Sequence, residues 1–271
     1  MSCPDFYSNA HARNEFLHPA SQSGDWLAMD EFCLSDCALF LDLDGTVLEI
    51  AAEPECVVVP AALAVTLRLL EGRLDGALAV LTGRSIAEVD RFLNPMAPIA
   101  AGIHGAELRT RPGGTVRLLA NAVDATIVEA VRHLAGTVDG ALVELKPASI
   151  ALHYRRAPQA EAQIELALNN IVARGPKHLI LCRGRKVFEI VPRHVSKGAA
   201  LEAFMNLPPF VGRRPVMVGD DVSDLSAFAA AVALGGRALK VTGELFSREH
   251  ADFASPAAVR SWLAAQLLDD T

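Results

Sequence analysis

The sequence has no apolar run that approaches the roughly 20 residues needed to cross a bilayer, which argues against a membrane protein. Its first 30 residues carry scattered polar side chains and lack the apolar core of a secretory signal peptide. We therefore expect a cytoplasmic protein in which residues 1–32 form a flexible tail. No internal repeat or low-complexity tract is evident along the chain.

Positive charge is in the minority. The 25 lysines and arginines are outnumbered by 32 aspartates and glutamates, which gives a net charge of −7. The basic clusters, such as Arg155-Arg156, are short, so no nucleic-acid partner is expected. Because an acidic protein repels anions at long range, a phosphorylated substrate would need local cations or a metal ion to attract it.

Cysteine is sparse, with five residues at scattered positions. Cys33 and Cys37 could be half of a metal site, but no second cysteine or histidine pair follows at the required spacing. Reduced thiols in a cytosolic protein are the alternative that we favour. A Gly-x-Gly-x-x-Gly sequence after a strand is also missing, which sets aside a nucleotide-binding oxidoreductase.

The patterns that are present alternate between strand and helix from about residue 37 onward, which indicates an α/β fold. Ala38–Leu41, Ala77–Leu81 and Pro215–Val218 are short apolar runs, as expected of parallel strands buried on both faces. Helical spacing of leucines follows Pro60, and a further helix is expected from Ser85. We predict a Rossmann-like three-layer core with a parallel sheet.

The pattern changes after the turn-rich Arg111-Pro112-Gly113-Gly114. Residues 141–146 and 149–155 alternate apolar and polar side chains, which is typical of an antiparallel hairpin. A helix at about 160–174 and two short strands follow. We therefore predict an inserted α+β module at 113–192 that interrupts a core formed by 33–112 and 193–271.

Polar residues follow each of the three apolar strands. The segments are Asp42-Leu43-Asp44-Gly45-Thr46, Thr82-Gly83-Arg84-Ser85 and Gly219-Asp220-Asp221-Val222-Ser223-Asp224. In open parallel sheets, ligands bind beyond the carboxyl ends of the strands. If the three strands are neighbours, five carboxylates and a threonine meet at one edge of the sheet.

Asp42 and Asp44 are two residues apart on a strand, so both side chains point to one side. Together with Asp220, they would repel one another unless a cation or a proton intervenes. A cluster of oxygen ligands suits Mg²⁺. A solvated acidic turn is the alternative, and the second acidic strand end argues against it.

Lys197 lies in the first turn of a helix that we expect to begin after Ser196 and to continue through Met205. A cation at that position opposes the helix dipole. It is either an exposed lysine or part of an anion site formed with the helix N-terminus. Thr82 could donate a hydrogen bond to the same anion, although taken alone it could simply belong to a turn.

These segments, in order, resemble the four motifs of the haloacid dehalogenase-like phosphatase superfamily. Within it, the resemblance is closest to the trehalose-6-phosphate phosphatase family. It rests on Leu81-Thr82-Gly83-Arg84-Ser85, His104-Gly105-Ala106-Glu107, Leu152-His153-Tyr154-Arg155, Phe188-Glu189-Ile190-Val191-Pro192 and Ser196-Lys197-Gly198. It covers residues 37–268.

The resemblance implies hydrolysis of trehalose 6-phosphate through an aspartyl-phosphate on Asp42, with Asp44 as general acid and base. It implies that Lys197 and Thr82 stabilise the phosphoryl group. It also implies an Mg²⁺ ion held by Asp42, the Asp44 backbone carbonyl and Asp220, with Asp221 or Asp224 in support.

The inserted module would then be a cap that selects a small-molecule sugar phosphate. The residues implied to bind the substrate are Asp42, Leu43, Asp44, Gly83, Arg84, Glu107, Lys146, Ser149, Arg155 and Glu189. Two stretches depart from the family pattern. Ser223 and Leu225 replace the usual threonine and glutamate of the last motif, and Val241-Thr242-Gly243-Glu244 differs from the usual glycine-rich ending.

Two other functions fit the same residues. One is a phosphatase of another sugar phosphate, such as a sucrose-phosphate or phosphoglycerate-linked sugar phosphatase. The other is a non-catalytic sugar-phosphate-binding protein. Because binding alone needs neither a nucleophile nor a proton shuttle, the presence of both Asp42 and Asp44 favours an enzyme.

Overall fold

A computed structural model describes residues 36–51, 56–184 and 186–268. The predicted tail at 1–32 lies outside the described residues. The strands are β1 Cys37–Leu41, β2 Leu78–Leu81, β3 Ile99–Gly102, β4 Glu107–Arg109, β5 Arg117–Leu118, β6 Leu142–Leu145, β7 Ile150–His153, β8 Leu179–Gly184, β9 Val187–Pro192, β10 Arg214–Gly219 and β11 Arg237–Lys240. The helices are α1 Leu63–Arg73, α2 Ile86–Phe92, α3 Ala125–Gly136, α4 Glu161–Arg174, α5 Lys197–Met205, α6 Leu225–Ala233 and α7 Pro256–Ala265.

Seven strands form the first sheet, in the order β11-β10-β1-β2-β3-β4-β5. The pairs from β11 to β3 are parallel, and β4 and β5 add antiparallel strands at one edge. Every residue of β1 and β2 is buried, as the continuous apolar runs predicted. The mostly parallel sheet, packed with helices, confirms the α/β class.

The predicted helices of the core are present. Leu63, Leu67 and Leu70 form the buried face of α1. Ser85 caps α2 in a reciprocal capping box with Glu88. The helix expected from Ser223 differs, because a short 3₁₀ turn at Val222–Asp224 precedes α6.

Four antiparallel strands form the second sheet, in the order β6-β7-β9-β8. Helices α3 and α4 pack against each other and against this sheet, and the module has its own apolar core, in which Tyr154 and Phe188 stack at 5.0 Å. The inserted α+β module is therefore present. Strand β5 lies beyond residue 112 and still pairs with β4 in the first sheet.

Candidate active site

The three strand ends that carry the polar motifs are adjacent. Strand β1 lies between β2 and β10, with Leu41 in register with Val80 and Val218. A cavity between the first sheet and the cap is lined by residues from both. Those lining residues include Asp42, Asp44, Thr82, Gly83, Arg84, His104, Glu144, Lys146, His153, Arg155, Glu189, Lys197, Asp220, Asp221 and Ser223.

Asp42, Asp220 and Asp224 form a buried carboxylate cluster, and one oxygen from each lies within 4.8 Å of the others. Asp224 Oδ2 accepts hydrogen bonds from the backbone N–H groups of Asp220 and Asp221, both at 3.0 Å. Asp224 therefore fixes the loop that presents Asp220. Asp221 lines the cavity outside this cluster.

Lys197 neutralises part of this negative charge. Its Nζ lies 2.7 Å from Asp42 Oδ1 and 2.6 Å from Asp224 Oδ1, and the residue is only 2% exposed. Helix α5 begins at Lys197, and Ser196 accepts a hydrogen bond from the backbone N–H of Ala199 at 3.0 Å. Burial acts to lower the pKa of Lys197, but Asp224 and Asp42 outweigh it and hold the pKa above its usual range.

One ammonium does not balance three buried carboxylates. Burial raises the pKa of Asp42 well above its usual value, and Asp224 and Asp220 add to the rise against the opposing effect of Lys197. Burial, followed by the charges of Asp224 and Asp221, raises the pKa of Asp220 to about 7. An all-oxygen donor set with excess negative charge fits a hard divalent cation such as Mg²⁺.

Gly45 and Thr46 bring the end of β1 against Asp220. Gly45 has a φ of +84°, and a Cβ at this position would overlap the Asp220 carboxylate. Only glycine combines that left-handed backbone with so close an approach. Thr46 Oγ1 donates a hydrogen bond to Asp220 Oδ1 at 3.1 Å.

Asp44 is held by Arg84. Arg84 Nε lies 2.6 Å from Asp44 Oδ2, and Nη2 lies 2.8 Å from Oδ1, so the pair is bidentate. Arg84 Nη1 also donates to Glu88 at 3.0 Å, and the guanidinium lies over the ring of Phe92 at 4.6 Å. Planar guanidinium geometry suits this fork and lysine cannot reproduce it.

Glu189, on β9, is the centre of a polar network on the cap side of the cavity. Lys146 Nζ lies 3.3 Å from the Glu189 carboxylate and donates to the carbonyl of Gly83 at 2.9 Å. Ser149 Oγ donates to Glu189 Oε1, and His104 Nε2 lies 3.1 Å from Oε2. The predicted cap residues Lys146, Ser149 and Glu189 are thus brought together.

Burial acts to raise the pKa of Glu189, but Lys146, His104 and Ser149 outweigh it and hold the pKa below its usual range. Burial likewise acts to lower the pKa of Lys146, and the charges of Glu189 and Glu144 raise it instead. The cap therefore presents an ionised carboxylate and an ammonium beside the loop Thr82-Gly83-Arg84 that follows β2.

Three other predicted residues occupy different positions. Arg155 lines the cavity and donates to the carbonyl of Ala51. Glu107 is buried, and its Oε2 accepts from the backbone N–H of Ile86 at 2.7 Å, at the start of α2. Leu43 is fully buried in the core. Neither Glu107 nor Leu43 is among the residues that line the cavity.

Sequence reasoning missed several polar residues that line the cavity, among them His104, Glu144 and His153. His104 belongs to a segment that carries the family resemblance, in which Glu107 is the predicted contact. Glu144 and His153 form a cross-strand pair at 2.9 Å, and the hydrogen bond from His153 chiefly lowers the pKa of Glu144. Their alternation with apolar residues on β6 and β7 was the available signal.

The two departures from the family pattern lie close to the carboxylates. Leu225 is the first residue of α6 and packs against the core. Gly243 lies next to Asp220, where an added Cβ would be 3.3 Å from Oδ2. The segment at 241–244 therefore borders the carboxylate cluster despite its different sequence.

The fold agrees with solved structures of one enzyme class. The C-terminal domain of trehalose-6-phosphate phosphatase from Candida albicans superposes with a TM-score of 0.74 at 18% identity, over 86% of this chain and 92% of that one. A phosphatase of the haloalkanoate dehalogenase superfamily from Bacteroides thetaiotaomicron superposes with a TM-score of 0.54 at 17% identity, over 84% and 93%. These likenesses show that the chain has the fold of the haloacid dehalogenase-like superfamily.

Sequence comparison specifies the family. The trehalose-phosphatase family model matches residues 40–256. Trehalose-6-phosphate phosphatase from Escherichia coli K12 is 42% identical over 205 residues, covering 75% of this chain and 77% of that protein. A probable trehalose-phosphate phosphatase from Sinorhizobium fredii is 37% identical over 227 residues, covering 82% and 84%. The chain belongs to the trehalose-phosphatase family.

Among the described residues, no helix combines the length and the apolar character that a membrane span requires.

Proposed function

We propose that this phosphatase hydrolyses trehalose 6-phosphate to trehalose and inorganic phosphate through an aspartyl-phosphate on Asp42. The substrate is that of its relatives from Escherichia coli and Sinorhizobium fredii, as their names state. The observation that carries the proposal is the position of Asp42, which lies beside Lys197 at the bottom of a cavity whose other wall is the Glu189 network.

In the first step, a carboxylate oxygen of Asp42 attacks phosphorus. The bond between phosphorus and the sugar oxygen breaks, and Asp44 gives a proton to that oxygen, so that neutral trehalose leaves. In the second step, Asp44 takes a proton from a water molecule that attacks the same phosphorus. The acyl phosphate bond breaks, and phosphate and the Asp42 carboxylate are regenerated.

Arg84 would control the proton shuttle. Its guanidinium donates hydrogen bonds to both oxygens of Asp44. This bidentate contact fixes the direction in which Asp44 faces the leaving oxygen. Thr82 and Lys197 bind the phosphoryl oxygens, where charge spreads in the transition state.

The buried carboxylate cluster supports magnesium dependence. Asp42, Asp220 and the backbone carbonyl of Asp44 would hold Mg²⁺, with Asp221 and Asp224 in support. The ion, when bound, offsets the negative charge of the phosphoryl group and of the aspartates.

The cap residues would select the sugar. Lys146, Arg155 and Glu189 line the cavity opposite Asp42 and offer donors and an acceptor to sugar hydroxyl groups. A buried hydroxyl without a partner costs about 1–3 kcal/mol, so a sugar that does not match these groups binds poorly. Ser149 and Glu107 act from behind the cavity, on Glu189 and on the start of α2.

The test is phosphate release from trehalose 6-phosphate, glucose 6-phosphate and sucrose 6-phosphate at equal concentration. We expect kcat/KM for trehalose 6-phosphate to exceed the other two by roughly a hundredfold. A preference for sucrose 6-phosphate would assign the alternative phosphatase. Binding of a sugar phosphate without turnover would assign the non-catalytic alternative.

A further inference from the structure

The backbone is strained next to the cavity. Ile103, His104 and Gly105 have φ angles of 50°, 54° and 108°, so three consecutive residues are in the left-handed region. That conformation is rare for histidine and rarer still for a β-branched residue such as isoleucine. In the two residues other than glycine, strain of this kind persists where the surrounding structure enforces it, often at functional sites.

Hydrogen bonds to the loop Thr82-Gly83-Arg84, which follows β2, hold this turn in its conformation. The backbone N–H of Ile103 donates to the carbonyl of Arg84, and that of His104 donates to the carbonyl of Thr82, both at 2.9 Å. Gly105 approaches the carbonyl of Ser196, where an added Cβ would lie at 2.7 Å. The strained turn therefore joins the loop after β2 to the start of the helix that carries Lys197.

The His104 ring lies between the loop after β2 and the cap. The ring lies against Gly83, where an added Cβ would be 2.7 Å from Cε1, so a larger residue at 83 would displace it. Its Nε2 lies 3.1 Å from Glu189 Oε2, across the cavity on cap strand β9. This contact joins the core to the cap at the residue that faces the sugar.

We infer that His104 is a positioning residue for the sugar-binding step. This inference rests on the proposed function. The Nε2–H of His104 holds the Glu189 carboxylate toward the substrate and links the cap to the Thr82-Gly83-Arg84 loop. An ionised carboxylate only accepts hydrogen bonds, so the ring nitrogen facing it carries the hydrogen. Lys146 completes the same link, because its Nζ contacts both Glu189 and the carbonyl of Gly83. Sugar recognition is thereby coupled to the loop that binds the phosphoryl group.

Two substitutions separate the effect of the His104 side chain from that of its left-handed backbone conformation. Asparagine tolerates the left-handed conformation, but its amide is too short to reach Glu189. His104→Asn should therefore fold normally and lower kcat/KM for trehalose 6-phosphate roughly tenfold to a hundredfold, mainly through KM. Hydrolysis of p-nitrophenyl phosphate should change less than about twofold, since it makes no use of the sugar contacts. His104→Gln restores an N–H donor of similar reach and should recover part of the loss.

The matched control is His194→Asn, because His194 is an exposed histidine whose Nε2 lies 3.4 Å from the carbonyl of Leu119. It should behave as the parent on both substrates. In the double variant with Glu189→Ala, which leaves no side-chain acceptor at position 189, His104→Asn should cause no further loss. Equal losses on both substrates, or independent losses in the double variant, would overturn the inference.

A spectroscopic measurement tests the contact without any substrate. The ¹⁵N spectrum of the His104 ring should show a protonated Nε2, and its chemical shift should change in the Glu189→Gln variant. An unprotonated Nε2 would refute the assignment. Failure of the parent enzyme to hydrolyse trehalose 6-phosphate would instead overturn the proposed function, while the spectrum would still decide whether His104 holds Glu189.

Discussion

Arg84 donates hydrogen bonds to both carboxylate oxygens of Asp44, from Nε at 2.6 Å and from Nη2 at 2.8 Å, and its guanidinium lies over the ring of Phe92. Two directional hydrogen bonds and a ring contact fix the orientation of the proposed proton shuttle. Asp44 and Arg84 come from the ends of neighbouring strands, 40 positions apart in the chain. The parallel pairing of β1 and β2 is what makes the contact possible.

Replacing Arg84 by lysine should therefore lower kcat by about tenfold or more, because an ammonium cannot hold Asp44 in a bidentate geometry. The measurement is steady-state phosphate release. Arg91→Lys is the matched control, since Arg91 is an exposed residue of α2 whose guanidinium also contacts the Phe92 ring, at 5.2 Å. Similar losses in the two variants would show that the Phe92 contact, and not the grip on Asp44, is responsible.

Asp42→Asn should abolish turnover, with a loss of roughly a thousandfold or more, while the protein remains folded. An amide cannot form the acyl phosphate, but it keeps the size of the side chain and can still bond Lys197. Asp36→Asn, at an exposed position just before β1, serves as the control and should retain full activity. Activity near the parent level in Asp42→Asn would contradict the covalent mechanism.

Lys197→Met should destabilise the protein itself. Lys197 is the ammonium between two buried carboxylates, and removing one member of a buried ion pair costs about 3–5 kcal/mol because an uncompensated charge remains. Urea denaturation without added metal measures the loss. Adding Asp42→Asn to the variant removes one of the stranded charges and should restore part of the stability. A variant as stable as the parent would show that the carboxylates are neutral without the lysine.

The sequence predicted the strand ends because burial on both faces leaves an unbroken apolar run before each polar motif. Strand β3 was not predicted, since Ile99–Gly102 is mostly alanine and glycine and offers no bulk to mark it. Strand β11, at Arg237–Lys240, is an edge strand with half-buried residues, so its pattern is mixed. Short or marginal strands join the sheet through tertiary contacts that local patterns do not encode.

The spacing of motifs along the chain also predicted that carboxylates would lie together at the strand ends, but not which of them would pair with Lys197. The position of Lys197 left open an exposed lysine or an anion site, and the structure buries its ammonium against Asp42 and Asp224. Glu107 and His104 show the limit of this reasoning. They are three positions apart in one motif, yet Glu107 bonds α2 and His104 enters the cavity. His104 lies in the left-handed turn formed with Ile103 and Gly105, whereas Glu107 begins β4, and no sequence pattern revealed that turn.

Removal of divalent metal ions should abolish the activity of the enzyme. We expect EDTA to abolish phosphate release and Mg²⁺ to restore it, because excess negative charge in the carboxylate cluster repels a phosphoryl group. Binding should also raise the thermal unfolding midpoint of the parent protein, since Mg²⁺ stabilises only the folded cluster. Asp220→Asn should lose most of that shift. Full turnover in EDTA, or an undiminished shift in the variant, would remove the metal assignment.

Stability at acid pH should depend on Glu189. Its pKa is held below the usual value of about 4.3, so its contacts stabilise the folded protein above that pH and are lost as pH falls toward the lowered value. Glu189→Gln keeps the shape of the side chain without the charge. The difference in free energy of unfolding between parent and variant should therefore shrink from about pH 6 to about pH 3.5.

Urea denaturation at these pH values gives that difference directly, and other carboxylates cancel because they are common to both proteins. Glu129→Gln, an exposed position on α3, should show no such pH dependence. If the difference between parent and Glu189→Gln stayed constant on acidification, the ionised carboxylate would contribute nothing to the core–cap network. Lys146, Ser149 and His104 would then bond the amide as well as the carboxylate. The charge of Glu189 would not explain the contact between the cap and Gly83.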